Sequence, residues 1–142
     1  RITKEVESKY ENGKPKIVKY YTGEEASRLL VKEKQYYPNG VVKVEGSYDE
    51  GKKDGQWVFY YENGTVWSKG FFKQGMAIGK TVVYHENGQL FYEGEYRNGQ
   101  KQGSWNFYSE EGQLVNKIEF DSGKIKNQAA KGANPKDTSL VE

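Results

Sequence analysis

Cysteine is absent from these 142 residues, which excludes disulfides and thiolate metal sites. Histidine occurs once, as His85. A zinc site usually draws on several His or Cys ligands, so no metal site and no cofactor is expected. No run of 18 apolar residues exists, so no helix spans a membrane. A dominant charge sign is also missing, since the net charge is +2. Residues 1–36 carry 9 basic and 6 acidic groups, and residues 37–120 carry 9 and 11. Nucleic acid binding needs a clustered basic face, and this distribution supplies none. Aliphatic residues are scarce enough to bring the mean hydropathy to −0.99, which argues against a thick aliphatic core. What is present is aromatic: twelve Tyr, six Phe and three Trp. Disordered chains are depleted in such residues, so order is expected. Seventeen Gly against three Pro suit many short strands joined by tight turns.

The order has a period. Tyr36, Tyr60, Tyr84 and Tyr108 each stand four residues before a glycine, at Gly40, Gly64, Gly88 and Gly112. Every step is 24 residues. The same step runs through Gly51, Gly75, Gly99 and Gly123, through Gly55, Gly79 and Gly103, and through Gly46, Gly70 and Gly94. Trp57 and Trp105 lie two steps apart with Thr81 between them, and Phe59, Val83 and Phe107 keep the step as well. A looser copy leads the series, because Tyr10-Glu11-Asn12-Gly13 reads like Tyr61-Glu62-Asn63-Gly64. Gly13 precedes Gly40 by 27 residues, so a longer loop is expected near Thr22 to Ser27. Glu24-Glu25-Ala26 could start a helical turn, and Arg28 to Tyr36 fits a strand better.

One unit reads as two antiparallel strands. Asn63-Gly64 and Asn87-Gly88 are hairpin signals, since both residue types tolerate positive φ. Leu90, Tyr92 and Tyr96 alternate with Phe91, Glu93 and Glu95, which places the two sets on opposite faces. A turn from Gly99 to Gly103 and a second strand over 104–108 complete the unit. Five units predict about ten strands in an all-β, single-layer antiparallel meander. The in-strand glycines Gly46, Gly70 and Gly94 suggest that a neighbouring ring crosses bare backbone, with Tyr60, Tyr84 and Tyr108 as candidate rings.

The motifs Tyr60-Tyr61-Glu62-Asn63-Gly64, Gly99-Gln100-Lys101-Gln102-Gly103 and Trp105-Asn106-Phe107-Tyr108 resemble the bacterial variant of the MORN repeat. The resemblance covers residues 36–123 well and 9–35 loosely. It implies an elongated β-meander, and it implies a kinship with antitoxin components of bacterial toxin–antitoxin systems. The repeat domain is expected over 1–126, as a leading repeat at 9–35 and repeats at 36–59, 60–83, 84–107 and 108–126. Residues 127–142 lack repeat features and read as a flexible tail, or as a short helix capping the last strand.

Catalysis finds no footing. His85 stands where other units have Tyr37 and Tyr61, so a flat ring replacing another ring explains it, and no Ser or Asp stands in a recognisable relation to it. Glu110-Glu111 and Asp49-Glu50 are turn charges. Gly75 to Gly79 is followed by no Gly-Lys-Ser/Thr motif. The chain is expected to be no enzyme.

The unit at 60–83 departs from its neighbours. It has Met76-Ala77-Ile78 where others have Lys52-Lys53-Asp54 or Gln100-Lys101-Gln102, and Trp67 and Phe71 where the preceding unit has Lys43 and Ser47. By parity, Trp67, Phe71 and Phe91 share a face. Packing within the chain and a protein-binding patch both fit Trp67, Phe71, Met76, Ile78 and Phe91. Two functions stay open: a protein-interaction scaffold, antitoxin-like in its finer form, and a cell-envelope scaffold that sets its aromatic face on glycan or lipid. Arg1 in place of a leading Met points to a removed segment, which keeps a cytoplasmic location and a secreted or envelope-anchored one both open.

Overall fold

The computed structural model describes residues 1–128. It holds one sheet of eleven antiparallel strands in strict sequence order. They are β1 (Ile2–Lys9), β2 (Pro15–Thr22), β3 (Leu29–Tyr36), β4 (Val42–Asp49), β5 (Lys52–Tyr60), β6 (Val66–Lys73), β7 (Met76–Tyr84), β8 (Leu90–Arg97), β9 (Gln100–Tyr108), β10 (Leu114–Asp121) and β11 (Lys124–Gln128). The all-β meander is as the period implies. The strand count exceeds ten because β1 precedes the leading copy. A single 3₁₀ turn at Glu25–Ser27 fills the longer loop between β2 and β3. Asn127 and Gln128 pair with Glu119 and Ile118, so the sheet runs two residues into the segment read as tail. The remainder of that segment lies outside the described residues.

Two kinds of turn alternate. In the Asn-Gly series only the glycine takes positive φ, +93° at Gly64 and +91° at Gly88. The asparagine instead accepts a hydrogen bond, as Asn63 Oδ1 does from the Thr65 backbone N–H at 2.9 Å. This is the Asx mode of turn stabilisation. The tight two-residue turns are Glu50-Gly51, Gln74-Gly75, Asn98-Gly99 and Ser122-Gly123, with both residues at positive φ in each, as a type I′ turn requires. The turn expected from Gly99 to Gly103 is therefore only Asn98-Gly99. Gly103, like Gly55 and Gly79, sits inside a strand at positive φ, where the register shifts.

A bulge recurs after every Asn-Gly turn. Tyr60 faces Val66 and Phe59 faces Ser68, which leaves Trp67 as the extra residue. Phe91 is extra in the same way between Leu90 and Tyr92, and so are Lys43 and Val115. A bulge puts two residues against one and breaks the alternation. Parity counted across it fails, so Phe91 packs against the core and not with Glu93 and Glu95.

The core is a layer of rings and alkyl groups on one face. Val83, Tyr92, Tyr96, Trp105, Phe107, Ile118 and Phe120 form its buried cluster, and Trp57 and Val44 extend the buried surface. A single-layer sheet needs wide, flat side chains to exclude water, and an aromatic ring buries about 150–250 Å². The glycines make room for them. A Cβ at Gly46 would fall within the indole of Trp57, and one at Gly94 within that of Trp105. The crossing rings are thus tryptophans, not the tyrosines proposed from the sequence. Tyr60 and Tyr108 turn to the other face, where their hydroxyls donate to Glu45 at 2.7 Å and Glu93 at 3.0 Å.

Candidate functional site

The unit at 60–83 loses two of the parts that close the ring layer elsewhere. In the flanking units Trp57 meets Tyr48 edge-on with centroids 5.2 Å apart, and Trp105 meets Tyr96 in the same way at 5.2 Å. Lys53 lays its ammonium 4.8 Å from the Trp57 ring, and Lys101 lies 5.6 Å from that of Trp105. The middle unit has Thr81 for the tryptophan and Ala77 for the lysine. Thr81 is buried and donates its hydroxyl to the Lys69 carbonyl at 3.2 Å. Gly70 stays as bare as its counterparts, yet a Cβ there would meet only Thr81 Oγ1, at 3.4 Å. A hollow results, walled by Trp57, Phe59, Phe72 and Tyr96 with Gly70 and Thr81 among its lining.

The other face of the same hairpin is apolar at its surface. Phe71 pairs with Ile78 across β6 and β7. Phe71 is 41% exposed and Met76 50%. Met76 lies against the next tight turn, with Sδ 3.4 Å from where a Gly99 Cβ would stand. The equivalents of Phe71 are Ser47, Glu95 and Glu119, those of Met76 are Lys52, Gln100 and Lys124, and those of Ile78 are Asp54 and Gln102. Three polar positions have become apolar together.

The five residues singled out by sequence therefore divide. Phe71, Met76 and Ile78 gather on the polar face. Trp67 and Phe91 do not share that face with Phe71, because their bulges turn them towards the ring layer, where both pack against the core. Trp67 stands 5.9 Å from Phe59 and 6.0 Å from Tyr61, and Phe91 lies 4.4 Å from His85. The pattern repeats in the leading units, where Lys16 lies over Tyr10 and Lys43 over Tyr37. In each, the residue after the turn covers the ring before it. Alternation alone could not show this, since it depends on the bulge.

His85 belongs to that ladder. Tyr37 donates its hydroxyl to the Tyr60 carbonyl at 2.7 Å and Tyr61 to that of Tyr84 at 2.6 Å. His85 Nε2 stands 2.8 Å from the Tyr108 carbonyl, which fits the tautomer protonated at Nε2. The ring substitutes for a tyrosine, as its repeat position suggests. Burial pushes Tyr37, Tyr61 and Tyr108 above their ordinary pKa. Burial first, and then the hydrogen bond to Glu45, pushes Tyr60 up to about 12. These are protonated donors holding backbone and carboxylate oxygens. Among the described residues no group of three or more His, Asp or Glu could hold a metal ion, and no helix is long and apolar enough to cross a membrane.

A family model described as MORN repeat variant matches residues 29–50, 53–74, 78–98 and 101–122, more than half of the chain. Each matched segment holds two strands joined by a turn of the Asn-Gly series, the same period cut at a different point. No curated protein matches the chain.

Proposed function

The chain belongs to the MORN repeat variant family, and from that premise we propose that it is a non-catalytic scaffold that binds a protein partner through the β6–β7 hairpin. The observation that carries this is the apolar cluster of exposed Phe71 and Met76 with half-buried Ile78, at positions that are polar in the other units. A contiguous apolar cluster rimmed by polar residues marks an interaction surface more often than a stability device. Trp67 and Phe91 support it from the ring side as packing. A finer form of the reading makes the partner a toxin and this chain its antitoxin, which predicts that co-expression relieves growth inhibition by that partner. An envelope scaffold stacking on glycan or lipid has less support, because Trp57 and Trp105 are buried and offer little ring surface.

Capture from native lysate supplies the partner, and titration of Phe71→Ala against it supplies the test. The substitution should weaken binding by about 2 kcal/mol, roughly 30-fold, with little change in melting temperature. Unchanged affinity in Phe71→Ala and in Met76→Ala would remove this surface from the reading. It would point instead to partner strand addition through backbone hydrogen bonds.

A further inference from the structure

We propose that the polar face of β6 seats an extended acidic segment of a protein partner, which sets a carboxylate at Lys69 and Tyr84 and an apolar side chain on Phe71. The inference rests on the scaffold reading and names the chemistry of the partner. The repeat itself shows which group is missing. Tyr60 donates its hydroxyl to Glu45 at 2.7 Å, and Tyr108 to Glu93 at 3.0 Å. Tyr84 and Lys69 stand one period from each pair. The register is kept, since Lys69 faces Val82 across β6 and β7 as Glu45 faces Val58 across β4 and β5. The acceptor has become a donor. No hydrogen bond or ion pair joins the Tyr84 hydroxyl or the Lys69 ammonium to any of the described residues. Val66, Lys69, Tyr84 and Gly88 line an open depression of about 140 Å³, with no carboxylate among them. Two donors thus line a space beside which the flanking units hold an acid.

The strand beyond that depression continues the pattern. Lys69, Phe71 and Lys73 are alternate residues of β6 and share a face. They succeed one another at about 7 Å, the spacing of alternate side chains in any extended chain. An acidic, an apolar and a second acidic residue at alternate positions of a partner segment therefore match cation, ring and cation. Charge sets this hairpin apart. Residues 66–84 hold Lys69, Lys73 and Lys80 and no Asp or Glu, whereas residues 42–60 hold four acidic groups and residues 90–108 hold two. Lys80 is held by Glu93 at 3.8 Å, and Lys69 and Lys73 have no ion pair among the described residues. Glu93 and Glu95 border the strip on β8, and Glu45 and Asp54 lie on its other side, on β4 and β5. A basic strip two strands wide, about 10 Å, with carboxylates on either side suits one narrow chain. A flat anionic membrane would meet those carboxylates as well, and like charges brought together oppose association.

The test uses the whole chain, labelled with nitrogen-15, and a capped peptide Ser-Glu-Ser-Leu-Ser-Glu-Ser. The peptide should shift the amide signals of Lys69, Phe71 and Ile78 saturably. Loss of a hydrogen bond to a charged group costs about ten-fold in affinity, so the peptide with Gln for both Glu should bind about ten-fold more weakly or worse. Ser in place of Leu should weaken it by a similar factor, since it removes the buried aliphatic group. Lys69→Glu restores the acid that the repeat has at Glu45 and Glu93 and gives Tyr84 an acceptor. It should melt no lower than the parent chain and bind the peptide about ten-fold more weakly. Tyr84→Phe removes one donor and should weaken binding several-fold; it carries the comparison if Lys69→Glu does not fold. No saturable shift at millimolar peptide would overturn the proposal, as would parental affinity in these variants. Equal binding of the Gln peptide would overturn the carboxylate, and of the Ser peptide the apolar anchor. Equal saturation by acetate would overturn the segment as the source of the acid. Retention on phosphatidylserine vesicles without binding of the peptide would overturn the protein partner in favour of a membrane. Lys69→Glu keeps Phe71, Met76 and Ile78, so a captured partner lost by Phe71→Ala but held equally by Lys69→Glu would sink the acidic strip and leave the scaffold reading standing. A captured partner indifferent to Phe71→Ala, beside a peptide that Lys69→Glu no longer binds, would do the reverse.

Discussion

At Gly46 and Gly94 a hydrogen in place of a side chain lets an indole lie flat on the backbone. A methyl group would occupy the same space as the ring, so the tryptophan or the strand must move. Gly94→Ala should therefore destabilise by about 3 kcal/mol, at the upper end for overpacking. Gly70→Ala meets one hydroxyl at 3.4 Å and should change stability by no more than about 1 kcal/mol. Urea denaturation of the pair checks this, and equal losses would show that the indole does not decide the matter. The tyrosines set a second expectation. Tyr37, Tyr48, Tyr60, Tyr61 and Tyr108 are all raised in pKa, chiefly by burial. Below about pH 10 the folded and unfolded chains both keep these protons. Above that the unfolded chain releases them first, so stability falls as pH rises from about 10 towards about 12, the value reached by Tyr60, and is intact below that window. Tyrosinate absorbance followed against pH should show ionisation coinciding with loss of the β-sheet signal. Ionisation completed with the sheet intact would contradict the burial argument.

Between residue and sheet, the working element is a hairpin whose turn ring reaches the following unit and is covered by its own bulge residue. Trp67 is such a cover, with Phe59 and Tyr61 as its neighbours. Trp67→Ala should lower stability by about 2–3 kcal/mol and affect partner binding only through that loss. Thermal melts of Trp67→Ala beside Phe71→Ala separate a covering ring from an exposed one. A melt of Trp67→Ala matching the parent chain would return it to the exposed patch. The same residues show what the sequence made legible. Twenty-four-residue spacing revealed the meander, the Asn-Gly turns, the long loop after β2 and His85 as a substitute ring. It did not reveal which rings cross the glycines, because position 57 or 105 against position 60 or 108 is a matter of face. Face is set by bulges that carry no residue signature: the extra residue is Lys43, Trp67, Phe91 or Val115. Three of the four tight turns were equally silent, since Glu50, Gln74 and Ser122 enter positive φ without the asparagine or glycine expected at that position. The hollow needed coordinates, although its signal, Thr81 between two tryptophans, stood in the spacing.

In the whole sheet, every substantial contact joins strands adjacent in sequence, from β1·β2 to β10·β11. Stability in such arrays is close to a sum of unit terms and neighbour interfaces. A complete period is then removable. Deleting residues 60–83 joins Phe59 to Tyr84 and merges β5 with the end of β7. The fused strand keeps Trp57 and presents it to β8, where Gly94 stands one period after Gly70. Trp57 already faces glycine on both of its present neighbours, Gly46 and Gly70, so the new junction repeats an existing pairing. The Asn-Gly turn at 85–88 replaces the one at 61–64, and Tyr37, which donates to the Tyr60 carbonyl, meets that of Tyr84 instead. The shortened chain should fold into nine strands with an unchanged β-type circular dichroism spectrum. Its urea m-value should fall roughly in proportion to the surface lost. It contains none of Phe71, Met76 and Ile78, so it should capture no partner. A chain that fails to fold after this excision would show that the units couple beyond their neighbours. A folded chain that still captures the partner would place the binding surface in the units that remain.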